Sequence, residues 1–149
     1  MITESQIEDI LVQMESDEFE DSFVEDQPDF WNYLNSEGFK GLSEEEKQMM
    51  FFIHSTIYHT CSKYLESEEE FDIDQFQEFE DQNWAVREDK ANLEETMNEY
   101  FQDYTEEDLL AFAEDMLVVD EDSEITELGK EVIFITAKSY IDFITQSSE

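Results

Sequence analysis

The chain has one cysteine, Cys61, and one proline, Pro28, and only three glycines in 149 residues. A single cysteine excludes an internal disulfide and fits a reducing compartment, with the cytoplasm as the expected location. There is no Gly/Ser/Pro linker, and disordered acidic tails are usually richer in these residues. Cations are the deepest shortage: Lys plus Arg number 7, and none precedes Lys40. The resulting net charge of -36 disfavours nucleic acid and anionic membranes as direct partners. No apolar run approaches the ~18 residues of a membrane span. The opening MITESQIEDI has neither the basic n-region nor the apolar h-region of a secretory signal, so none is expected.

Acids and large apolar residues fill the space left. Asp plus Glu number 43, and such charge alone predicts disorder through self-repulsion. The hydrophobic content is nevertheless 40%, with 14% aromatic residues and 13 Phe. A domain of this length can bury roughly 70% of its unfolded surface. The expectation is a single compact domain over residues 1–149, all-α, with about seven helices and a highly acidic surface.

The segment EEEFDIDQFQEFEDQNW, residues 68–84, shows how the two excesses coexist. Asp72 suits an N-cap with Gln75 at N3, and Phe71 and Phe76 suit a hydrophobic staple. Ile73, Phe76, Phe79 and Trp84 then share one side, while Asp74, Glu78 and Asp81 line another. Other starts follow the same logic. Thr3 caps a first helix with Ile7, Ile10, Leu11 and Met14 inward, and Pro28 opens a short helix stopped at Gly38. Ser43 and Glu46 form a capping box before a stripe of Met49, Ile53, Ile57 and Cys61. A fifth helix turns Leu93, Met97, Tyr100, Phe101 and Tyr104 inward, with Glu95, Glu99 and Asp103 outward. Thr105 with Asp108 is expected to cap a sixth. The segment ELGKEVIFITAKSYIDFI reads as a central buried helix, or as a strand over 132–135 followed by a helix. Residues 49–65 and 132–144 are nearly free of acids and should be the core, or the seam of a homodimer.

Three constellations invite a chemical reading. His54 and His59 are five residues apart, about 140° around a helix, so with Cys61 they read as packing residues and not as a metal site. Asp120, Asp122, Glu124 and Glu131 fall at positions 1, 3, 5 and 12 of an EF-hand loop. Ile125, however, stands where that loop needs glycine, and Glu127 where it needs an apolar residue. The segment therefore reads as an acidic connection, with Ser123 or Thr126 capping the last helix. No metalloprotease, phosphate-loop or nucleophile-elbow motif is present, so no catalytic residue, cofactor or enzymatic activity is expected.

Acids at i, i+4 repel by roughly 0.2–0.5 kcal/mol per pair, so uniform sign lowers stability and calls for a compensating use. A duplex carries one charge per ~1.7 Å of axis, and consecutive carboxylates at i, i+4 rise about 6 Å on a helix. The expected function is that of a DNA mimic, which occupies the site of a basic nucleic-acid-binding protein or nuclease and inhibits or regulates it. Its contact residues would be Asp74, Glu78, Asp81, Glu95, Glu99 and Asp103. The alternatives are an acidic chaperone or adaptor for a basic protein, and a soluble helical domain whose charge has no specific role. Crowded carboxylates should also make mild acidification stabilising.

Overall fold

Helix starts set the architecture. The computed structural model describes residues 2–16, 23–36, 39–65, 72–102, 104–117 and 125–146. Among them are eight helices and no strand: α1 (Glu4–Met14), α2 (Phe23–Asp26), α3 (Pro28–Leu34), α4 (Glu44–Tyr64), α5 (Ile73–Glu88), α6 (Leu93–Phe101), α7 (Glu107–Met116) and α8 (Glu127–Gln146). Thr3 and Ser43 each close a capping box, with Gln6 and Glu46 returning the hydrogen bond. Asp72 accepts from the N–H groups of Asp74 (3.0 Å) and Gln75 (3.3 Å). The staple residue Phe71 and the stop residue Gly38 lie outside the described residues.

Three expectations change. The eighth helix is α2, a single turn in an acid-rich stretch. It exists because Phe23 is fully buried against Phe30, Phe51, Tyr58 and Tyr140. Thr105 does not cap α7. Glu106 takes that position without a side-chain cap, and the Asp108 carboxylate instead accepts from the Glu4 N–H across the α1–α7 junction at 3.1 Å. Glu106 is buried as well and accepts from the Ile2 N–H through both oxygens, at 3.1 and 3.3 Å. Two carboxylates at the start of α7 thus satisfy donors at the start of α1, groups that have no partner within their own helix. Finally, residues 132–135 lie inside α8, so the strand alternative falls.

The two acid-poor segments are core. Every residue from Ile133 to Ile144 is buried, and α8 packs against α5, α4 and α7. α4 contributes Met50, Ile53, Ile57 and Cys61, with Met49 only partly covered. Tyr140 stacks on Phe30 at 4.2 Å, joining α8 to α3. The described acids reach the surface outside this core, except Glu46, Glu106 and Asp142. No described helix is long and apolar enough to cross a membrane.

Candidate acidic interaction surface

The orientation of α5 is fixed from its inner face. Phe76 is fully buried and Asn83 nearly so. Asn83 Nδ2 donates to Ser139 Oγ (3.0 Å) and Asp142 Oδ2 (3.1 Å) on α8. Its Oδ1 accepts from Lys138 Nζ (3.1 Å), and its backbone carbonyl accepts from the Tyr100 hydroxyl of α6 (2.6 Å). Lys138 is the one buried cation among the described residues; it pairs with Asp142 at 2.7 Å and lies over the rings of Tyr100 and Tyr104. The Tyr104 hydroxyl donates to the other Asp142 oxygen at 2.6 Å. Burial, reinforced by the Asp142 carboxylate, keeps Tyr104 protonated far beyond the ordinary tyrosine range. Every polar group of this cluster finds a partner, which is what a buried charge requires.

With Phe76 and Asn83 turned inward, the helix period turns Asp74, Glu78 and Asp81 directly outward, and all three are exposed. Glu88 continues the same row and is also exposed. The sequence reading stopped at Asp81 because Ala85 interrupts the acids. A period count carried to the end of the helix finds Glu88. The row then spans about 21 Å along the axis. Among the described residues no cation lies within ion-pair distance of any of these four carboxylates.

The α6 row is different. Glu95 and Glu99 are exposed, opposite the buried Met97 and Tyr100, but both are engaged. Glu95 accepts from the Ala91 N–H at 3.1 Å, bracing the helix start that Asn92 caps. Glu99 faces Lys90 at 3.9 Å. Asp103 lies outside the described residues. Glu80, beside Asp81, is drawn out of the solvent row by a hydrogen bond from Tyr33. Burial raises its carboxyl pKa, the Tyr33 bond opposes this, and the Asp81 charge adds to the rise.

The remaining titratable candidates are packing residues. His54 is fully buried between Phe30 and Tyr140, with Nδ1 donating to the Met50 carbonyl at 2.7 Å. A carbonyl only accepts, so Nδ1 carries the proton and Nε2 is left bare, without a hydrogen bond. Burial pulls the ring down to about 4, against the favourable fields of the Met50 and Thr136 carbonyls. Burial pushes the Cys61 thiol up to about 12, with the Glu106 carboxylate adding to it, so the thiol is not a nucleophile. Among the described residues no three His, Cys, Asp or Glu side chains are grouped to hold a metal. Of the EF-hand positions, Asp120, Asp122 and Glu124 lie outside the described residues, and Glu131 is paired with Arg87 Nε at 2.6 Å. Ile125 packs against the core, and Thr126 caps α8 by accepting from the Gly129 N–H at 2.9 Å.

No protein-family model, curated protein or solved structure matches this chain.

Proposed function

We propose that the chain is a DNA mimic that binds, without catalysis, in the nucleic-acid site of a basic protein and blocks or regulates it. The carrying observation is the α5 row: Asp74, Glu78, Asp81 and Glu88 point outward from a helix anchored on its opposite side by Asn83 and Phe76. A carboxylate with no neighbouring cation is free to meet a Lys or Arg that otherwise holds a phosphate. The anchoring matters because a rigid array loses little freedom on binding. Four carboxylates over about 21 Å are sparser than one DNA strand, which places a phosphate every ~3.4 Å of axis, so neighbouring acids must complete the surface. Glu95 and Glu99 supply part of that complement, with Lys90 yielding Glu99 to a stronger cation.

The test is capture of basic proteins from a lysate of the source cell, followed by a challenge with duplex DNA. A mimic releases its partner to DNA, and the released protein binds DNA on its own. Capture that survives saturating DNA would rule the proposal out, as would capture of proteins with no affinity for nucleic acid.

A further inference from the structure

A second surface of different character lies between α1 and α7. It is a groove of about 270 Å³ floored by Leu11, Ala111 and Phe112 and rimmed by Glu8, Asp108 and Asp115. No cation lines it. Phe112 is 91% buried, so the floor is a fixed part of the core and not a loose surface side chain. Asp108 is held in place by the Glu4 N–H, which tethers the two walls to each other at one end. One turn beyond Glu8 on α1, Val12 is 68% exposed, one of two large hydrophobic side chains standing in solvent among the described residues. Val12 does not line the groove but stands beside it, next to the floor residue Leu11 in the chain.

The size and the charge select the occupant. The volume is below the ~300–1,000 Å³ of clefts that hold a drug-sized ligand, but it suits one large side chain. A second copy of the chain is disfavoured, because its net charge of -36 would face the same sign. An acidic or neutral apolar segment would leave the rim carboxylates facing a desolvated surface without partners. The complementary ligand has cations on both sides of an apolar anchor. We propose that this groove docks a basic amphipathic peptide segment, seating one Leu-sized side chain on Leu11, Ala111 and Phe112 while flanking Lys or Arg meet Glu8, Asp108 and Asp115. This surface is separate from the α5 row and stands whether or not the chain mimics DNA.

Fluorescence anisotropy tests it with two labelled Lys/Arg-rich peptides that differ only at the centre, one carrying Leu and the other Ser. Both have the same charge, so general attraction to an acidic protein affects them equally. The Leu peptide should bind about tenfold tighter or better, the gain expected for burying one such side chain. Ala111→Phe fills the groove and should remove that difference while leaving the Ser peptide unchanged. If Ala111→Phe lowers the melting temperature of the protein, Leu11→Ser is the second variant, and it should shrink the same difference. Equal affinity of the two peptides overturns the proposal, as does no binding of either, or a Leu preference that survives in a folded groove variant.

Discussion

The Glu46 carboxylate fills the space where a Cβ on Gly129 would lie. One Glu46 oxygen returns the capping-box bond to the Ser43 N–H at 2.9 Å. The other accepts from the Thr126 N–H (3.1 Å) and hydroxyl (2.9 Å), so one buried side chain closes the starts of both α4 and α8. Desolvation by itself would raise its pKa, but the bonds from Ser43 and Thr126 together hold it below the ordinary glutamate range.

Gly129→Ala should therefore destabilise the protein by about 1–2 kcal/mol, because the carboxylate must leave one or both caps. In a Glu46→Ala background only the Thr126 hydroxyl, 3.1 Å from the added Cβ, still has to give by a few tenths of an ångström, and the same change should stabilise by up to about 0.5–1 kcal/mol through helix propensity. Chemical denaturation of the four proteins in the cycle reads the sign reversal. The same sign in both backgrounds would remove Glu46 as the reason for glycine at this position.

Acid should weaken the fold through His54. Its folded pKa of about 4 lies below the ordinary 6.5, so the unfolded chain binds the proton first. Stability from this group is complete above about pH 6.5 and is lost as pH falls toward 4, by roughly 3 kcal/mol in all. Repulsion among the acids pulls in the opposite direction. The fully buried ring gives His54 a protonation penalty that opposes the stabilisation on acidification that charge density alone suggests. His54→Phe keeps the aromatic packing and removes the titration. Between pH 7 and 4 the melting temperature of the wild type should fall relative to that of the variant.

Breaking the buried cluster from one side should cost more than removing its charges together. Asp142→Ala leaves Lys138 buried without its counter-ion and deprives Tyr104 and Asn83 of an acceptor, a loss of about 3–5 kcal/mol. Lys138→Met combined with Asp142→Leu should cost less than that single change, although Asn83 still loses two bonds. Urea titrations of wild type, Lys138→Met, Asp142→Leu and the pair measure the coupling. Additive losses would show that the two charges do not depend on each other.

Local chemistry was the legible part of this fold. Thr3 as a cap and Ser43 with Glu46 as a capping box carry their signals within four residues, and those helices start where the sequence places them. Thr105 with Asp108 has the same local pattern and fails, because Asp108 is committed to an N–H more than a hundred residues away in the chain. A contact at that distance leaves no mark in a short window. The one-turn α2 was hidden for a related reason: its helical turn rests on the burial of Phe23, not on any local period. Asp74, Glu78 and Asp81 were legible as an outward row because periodicity alone decides which way a helical side chain points. Whether a carboxylate in such a row is free was not legible. Lys90 beside Glu99 and Ala91 beneath Glu95 separate the two rows, and both depend on how α5 turns into α6. The cluster of Asn83, Lys138 and Asp142 and the groove between α1 and α7 each require elements brought together by the tertiary fold.

The α5 row makes opposite demands on stability at its two ends, and neutralising it residue by residue separates them. Asp74 sits in the first turn of α5, where its charge opposes the positive end of the helix dipole. Asp74→Asn should cost about 0.3–1 kcal/mol from that interaction, partly returned by relief of the repulsion with Glu78. Glu88 is the last residue of the helix, where a negative charge is unfavourable, so Glu88→Gln should stabilise by a similar small amount. Glu78→Gln and Asp81→Asn relieve repulsion only and should gain a few tenths of a kcal/mol each. The four changes together should leave the melting temperature close to that of the wild type, while affinity for the captured basic partner falls by orders of magnitude. The dependence of log affinity on log salt should become shallower, because fewer charge contacts remain to be screened. A quadruple variant that folds normally and holds its partner at wild-type strength, with the same salt slope, would exclude this row from the binding surface.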